Sequence, residues 1–176
     1  MFKYEGSNLK IKKAVEISND QDLFENLYGS IEDAEDFDMT KASGDHIAQS
    51  MREFIKENDI SINVYYPKWR WSKAIGYFSV NNPTTINING YKLNRSIASF
   101  VGNFYHELTH MVSAHDNFYC YNHGSNDPAG KQNTAPYFVG NKAKWLVSMN
   151  YEEKKEIEIE VYTPWYKRLL NFIWRA

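Results

Sequence analysis

Two histidines and a glutamate in one short stretch, His106-Glu107-Leu108-Thr109-His110, could bind and use a metal ion. In an α-helix, residues four apart lie one turn apart on the same face, so His106 and His110 can both reach one tetrahedral zinc ion. Glu107 lies at the edge of that face, where its carboxylate could take a proton from a water molecule activated by the zinc. The pattern predicts a zinc site with Glu107 as general base.

The third zinc ligand is left open by the residues themselves. A catalytic zinc ion usually has three protein ligands and one place for water. Asp116 lies six residues after His110, just beyond the expected end of the helix, where the chain can fold back towards the metal. Asp116 is the leading candidate, and the others are His115, His123 and a late glutamate (Glu152, Glu153 or Glu156).

The motif lies within a segment, from about Arg95 to His115, whose apolar residues recur at helical spacing. These residues form one stripe: Ile97, Phe100, Val101, Phe104, Leu108, Met111 and Val112. The two histidines fall on the opposite side of the same helix. We therefore expect one face of the helix to be buried and the histidine face to line a cleft.

The segments before this helix predict an N-terminal helical part (1–58) and a β region (60–90). The helical part includes a helix over Ser43–Asn58, with apolar residues at spacings of three and four. Alternating apolar and polar residues in the β region predict three strands, at Ile60–Tyr66, Ala74–Val80 and Thr84–Asn89. We expect Thr84–Asn89 to form the edge of the cleft, where an extended substrate could join the sheet.

Residues 117–176 predict an irregular C-terminal part that ends in a helix opened by Thr163-Pro164. The order of elements is typical of an α+β fold. We expect a single compact domain (1–176), in which a small twisted sheet packs on the long zinc-binding helix.

Composition excludes several classes of function. The 20 Lys and Arg against 22 Asp and Glu give a net charge of −2, so we expect no nucleic-acid partner. The single cysteine, Cys120, excludes an internal disulfide framework. No secretory signal and no membrane-spanning apolar run is evident, so we expect a protein that is cytoplasmic as synthesised and makes no membrane contact. Export by a dedicated secretion route would leave no trace in these features.

The stretch His106–Asp116, HELTHMVSAHD, resembles the extended H-E-x-x-H-x-x-G-x-x-H/D motif of metzincin-type zinc metallopeptidases. The resemblance implies that Asp116 is the third zinc ligand. Ser113 stands where the family has glycine. The similarity to small bacterial members extends over about residues 74–146 and includes Ile75–Tyr77, Thr85–Asn89 and Thr134–Gly140.

The same resemblance implies roles for two tyrosines. Metzincins often use a tyrosine near the metal to stabilise the oxyanion, and a methionine turn lies beneath the zinc. Tyr137 belongs to the Pro-Tyr segment of the small bacterial type, and Met149-Asn150-Tyr151 resembles the methionine turn. Tyr137 and Tyr151 are therefore both candidate catalytic residues.

Together these features predict a zinc-dependent endopeptidase that acts on a peptide or protein substrate. One alternative is a catalytically inactive, zinc-stabilised binding module. Another is an effector whose C-terminal amphipathic helix, within Trp165–Arg175, docks to a membrane or a partner.

Overall fold

The computed structural model describes residues 1–69, 71–124 and 130–152 and has the α+β fold that the sequence predicts. Its strands and helices, in chain order, are β1 (Phe2–Lys3), α1 (Leu9–Ser18), α2 (Gln21–Glu32), α3 (Gly44–Glu57), β2 (Ile60–Tyr65), β3 (Gly76–Ser79), β4 (Asn82–Asn89), α4 (Ile97–His115) and α5 (Ala135–Val147). A 3₁₀ turn (Gly90–Lys92) follows β4 and a π-helical turn (Ser148–Glu152) follows α5. The strand β1 is the one element of the N-terminal part that the sequence analysis does not anticipate.

The sheet is mixed, with strand order β1-β2-β4-β3. Strands β1, β2 and β4 are parallel, and β3 is antiparallel to β4. The expectation that Thr84–Asn89 forms the cleft edge is therefore wrong, because β4 lies between β2 and β3. Among the described strands, the antiparallel edge of the sheet is β3.

Helix α4 is the centre of the hydrophobic core, as its apolar stripe predicts. Phe100, Val101, Phe104, Leu108 and Met111 are completely buried, in one cluster with apolar residues of the sheet such as Ile86 and Ile88. The helix begins where the Ser96 hydroxyl accepts a hydrogen bond from the Ser99 N–H at 3.2 Å. The opposite, histidine-bearing face of α4 packs in part against α5, where Gly140 lies against Gly102 and His106.

Helix α5 (Ala135–Val147) lies in the C-terminal part, 117–176, that the sequence predicts to be irregular. Pro136 lies in its first turn, a position that needs no backbone N–H. The helix packs on α4 through two facing glycines, Gly102 and Gly140. A Cβ atom at Gly102 would lie 2.7 Å from the Gly140 carbonyl oxygen, so the two backbones approach closely.

The predicted terminal helix, opened by Thr163-Pro164, lies outside the described residues. Among the helices that the structure describes, none has the length and apolar character needed to cross a membrane.

Candidate metal centre

Three histidine side chains, half-buried or buried, meet on the side of α4 that faces the start of α5. His106 and His110 come from the helix, and His123 comes from the loop that follows it. One ring nitrogen of each lies within 4.8 Å of the others, and Nε2 of His110 is 2.9 Å from Nε2 of His123. Two nitrogens bound to one tetrahedral zinc ion would be about 3.3 Å apart. The three rings can therefore hold one metal ion.

The second nitrogen of each helical histidine has an acceptor that orients its ring. His110 Nδ1 donates to the Asn122 side-chain oxygen at 2.8 Å, which leaves Nε2 with its lone pair towards the cluster. The His106 ring hydrogen-bonds to the backbone of Pro136, at the start of α5. Such contacts fix the tautomer and the angle of metal-ligating histidines.

The two helical histidines, His106 and His110, favour the neutral imidazole. Burial lowers the pKa of His106 to about 3, with a further contribution from the nearby His110 and His123 rings. The pKa of His110 is also lowered, mainly by burial. A metal ion binds only the neutral form of histidine, so these rings need not lose a proton first at neutral pH.

A short loop carries His123 back to the helix face, and Ser113 anchors it. The buried Ser113 hydroxyl accepts a hydrogen bond from the Tyr121 N–H at 2.9 Å. Tyr121 itself is completely buried and lies two residues before His123. The serine that replaces the motif's glycine thus ties the loop to the last turns of α4.

Asp116 anchors the beginning of the same loop. Its Oδ1 accepts hydrogen bonds from the N–H groups of Phe118 and Tyr119, at 2.8 and 3.0 Å. Its Oδ2 lies 2.5 Å from Nε2 of His46 on α3. These hydrogen bonds keep the pKa of Asp116 below its usual value, against the opposing and largest influence of desolvation.

The structure does not bring Asp116 into the cluster with His106 and His110. In the part of the chain that the structure describes, the group able to hold a metal consists of the three histidines, with His123 in the third place. The physical reason is that the carboxylate of Asp116 is already used by the loop and by His46. His123 was one of the open alternatives, although its distance of 13 residues from His110 gives no spacing signal.

Glu107 lies between the helix and the edge strand β3. Its Oε2 accepts a hydrogen bond from the Phe78 N–H at 3.0 Å, and Asn103 donates its side-chain amide to Oε1 at 3.4 Å. Burial raises the pKa of Glu107 to about 7, and the two hydrogen bonds oppose this rise. A carboxyl group with a pKa near neutrality can both accept and donate a proton at physiological pH.

Tyr137, in the first turn of α5, packs against the three-histidine cluster. Its ring centre is 4.8 Å from that of His106 and 4.9 Å from that of His123. The structure thus brings one of the two candidate tyrosines to the histidines. The sequence contains no spacing that links Tyr137 to His106; the link depends on the crossing of α4 and α5.

The remaining residues that the sequence suggests for the site lie away from the histidine cluster or have side chains outside the described residues. His115 donates from Nδ1 to the Met111 carbonyl at 2.8 Å and packs against Phe54 of α3. Met149 is 49% exposed, so its side chain does not form a buried methionine turn beneath the histidine cluster. The side chains of Tyr151 and of the late glutamates (Glu152, Glu153 and Glu156) lie outside the described part.

No protein-family model, curated protein or solved structure matches this chain. The resemblance to metzincins stays a prediction, carried by the motif residues alone.

Proposed function

We propose that the protein is a zinc-dependent endopeptidase. The observation that carries this proposal is the group of three histidine nitrogens able to hold one metal ion, two of them on the same helix as the buried Glu107, whose carboxylate contacts the edge strand β3. Three histidines are a known ligand set for catalytic zinc. Zinc that only stabilises a fold usually has four protein ligands, whereas the described residues offer three at this cluster. This difference favours an enzyme over the inactive binding module.

His106, His110 and His123 would hold the zinc ion. When bound, zinc supplies Lewis acidity, which lowers the pKa of a water ligand and polarises a substrate carbonyl. Glu107 would accept the proton of the attacking water and pass it to the leaving amine, so it ends the cycle ionised as it began. Tyr137 would donate a hydrogen bond to the oxyanion of the tetrahedral intermediate.

Strand β3 would align the substrate. The Asn89 N–H donates to the Ile75 carbonyl, so in this antiparallel register Tyr77 faces β4 and the backbone of Phe78 faces outwards. The Phe78 N–H contacts Glu107. A polypeptide added to this edge would therefore run past the proposed general base.

Replacement of Glu107 tests the proposal. We expect Glu107→Gln to retain zinc and to reduce cleavage of fluorescein-labelled casein by about 100-fold or more. The matched control is Glu57→Gln, at an exposed carboxylate at the end of α3, which should leave cleavage unchanged. Wild-type cleavage by Glu107→Gln with full zinc content would remove Glu107 from the mechanism. A zinc-loaded wild type that cleaves neither casein nor other unfolded proteins would contradict the endopeptidase proposal itself.

A further inference from the structure

The segment between Asp59 and Glu107 contains no acidic residue, although the chain as a whole is acidic. These 47 positions hold five of the 20 Lys and Arg residues and none of the 22 Asp and Glu residues. At the average composition of the chain they would hold about six acidic residues. The segment covers β2, β3, β4 and the first half of α4, so one part of the molecule is basic while the total charge is negative.

Exposed aromatic residues cluster in the connection from β2 to β3. Tyr66 is 64% exposed, Trp69 is 67% exposed and Trp71 is 81% exposed. Lys68 and Lys73 lie between and beside them, and both are exposed. We name Tyr66, Lys68, Trp69, Trp71 and Lys73 the aromatic-basic surface. Neither lysine forms an ion pair with another described residue.

The first residue of this surface is fixed by packing. The Tyr66 ring packs on the backbone of Gly90, where a Cβ atom would lie 2.4 Å from the ring, and its centre is 5.3 Å from the ring centre of Tyr91. Farther along the connection, the Ser72 N–H donates to the Trp69 carbonyl at 3.1 Å. Tyr66 is therefore held against the rest of the domain, and a local hydrogen bond joins Trp69 to Ser72.

The end of the connection is fixed by Asn89, a completely buried residue at the end of β4. Its side-chain amide donates to the Ala74 carbonyl at 3.0 Å, and its backbone N–H donates to the Ile75 carbonyl at 2.8 Å. Strand β3 begins at the next residue. The aromatic-basic surface thus leads directly into the edge strand that contacts Glu107.

The distance along this path suits a short peptide. Phe78 lies five positions after Lys73, a distance of about 17 Å in extended conformation. A peptide that pairs with β3 opposite Glu107 would therefore reach the aromatic-basic surface with residues about five positions from the scissile bond. Exposed indole rings can pack against apolar side chains, and exposed lysines can bind carboxylates.

We propose that the aromatic-basic surface recognises an acidic, partly apolar polypeptide segment and that this segment flanks the site of cleavage. The proposal rests on the proposed endopeptidase function and adds a substrate class to it. Continuity with β3 favours a polypeptide over other polyanions, because an extended chain can use the surface and the strand edge together.

Binding, measured apart from cleavage, tests the proposal. The probe is a labelled 12-residue peptide of alternating Glu and Leu, compared with one of alternating Lys and Leu. Fluorescence anisotropy would be recorded with Glu107→Gln protein in EDTA, so that neither zinc nor catalysis is needed. We expect the acidic peptide to bind about tenfold or more tightly than the basic one. The affinity should fall as NaCl rises from about 50 to 500 mM.

Substitutions in the aromatic-basic surface test whether the acidic peptide binds there. We expect Trp71→Ala, and separately the pair Lys68→Glu and Lys73→Glu, to weaken acidic-peptide binding about tenfold. The matched controls are Trp145→Ala, at a 53% exposed tryptophan of α5, and the pair Lys12→Glu and Lys41→Glu at exposed lysines elsewhere. The controls should change affinity less than twofold.

Several outcomes would overturn the inference. Equal affinity for the acidic and basic peptides would do so, as would surface variants that bind like their controls. Tighter binding of single-stranded oligothymidine or of anionic phosphatidylglycerol vesicles through the same residues would assign the surface to another partner. Acidic-peptide binding in a protein that cleaves nothing would instead uphold this surface and count against the endopeptidase proposal alone.

Discussion

Gly102 of α4 and Gly140 of α5 face each other where the two helices cross. A Cβ atom added to Gly140 would lie 2.8 Å from the Gly102 carbonyl oxygen and 2.9 Å from Cβ of His106. The absence of both side chains lets α5 approach the metal-binding turn of α4. This approach brings Tyr137 to the ring of His106.

Gly140→Ala should therefore destabilise the protein. The new methyl group meets the backbone of α4 and the His106 side chain, so α5 must move away, at a cost of about 1–3 kcal/mol. The measurement is the free energy of unfolding in urea. Gly29→Ala is the matched control, because Gly29 lies inside α2 with open space around it, and there alanine should stabilise by up to about 1 kcal/mol. Equal responses of the two variants would refute the close helix crossing.

Ser113→Ala should weaken both the fold and metal binding. The substitution leaves the buried N–H of Tyr121 without its acceptor, which costs about 1–3 kcal/mol, and releases the loop that carries His123. Urea unfolding and a zinc titration would measure the two effects. Ser30→Ala, which removes a solvent-exposed hydrogen bond on α2, is the control and should have little effect on either. Unchanged zinc affinity in Ser113→Ala would show that this anchor does not position His123.

Two substitutions of Asp116 should show whether its carboxylate anchors the loop or binds zinc. Asp116→Asn keeps the side-chain oxygen that accepts from Phe118 and Tyr119, so zinc affinity should stay within about threefold of wild type. Asp116→Ala removes that acceptor and should lower the affinity. Isothermal titration with zinc is the measurement. If Asp116→Asn lost zinc to the same extent as His110→Ala, Asp116 would be a ligand after all.

Because its pKa is raised, Glu107 should make metal-free protein less stable at neutral pH than at about pH 4.5. Because the folded-state pKa lies at about 7, above the ordinary 4.5, the folded state holds its proton more tightly than the unfolded state does. Ionisation of Glu107 therefore lowers the free energy of unfolding as pH rises from about 4.5 to 7, and this decrease is complete above pH 7.

Glu107→Gln lacks this titration, so its stability relative to wild type should increase by about 2–3 kcal/mol between pH 5 and pH 8. Urea unfolding in EDTA at both pH values measures the difference, and the titration of His106 cancels because both proteins contain it. A constant difference between the two proteins would contradict the raised pKa.

Local patterns in the sequence are sufficient to predict much of the fold. The period of apolar residues fixes α3 and α4 to within about two residues, and alternation locates β2 to β4. The histidine pair follows from the same period, because His106 and His110 share a helix face that the apolar stripe does not occupy. These features depend on neighbours within one or two turns of the chain.

Features that depend on tertiary packing could not be predicted in this way. Strand order makes β3 the edge instead of β4, and no local pattern encodes that order. The position of His123 depends on hydrogen bonds made by Ser113 and Asp116. From residue type alone, Ser113 is a departure from the metzincin motif and Asp116 is a candidate zinc ligand. The position of Tyr137 depends on the close approach of two helices.

We propose that one metal ion binds between the rings of His106, His110 and His123. An anomalous-difference map at the zinc absorption edge, from crystals of zinc-loaded protein, would locate the ion and its ligands. We expect a single strong peak about 2.0–2.1 Å from one nitrogen of each ring. A map with no peak between the rings, or with a peak held by Asp116 in place of His123, would contradict it.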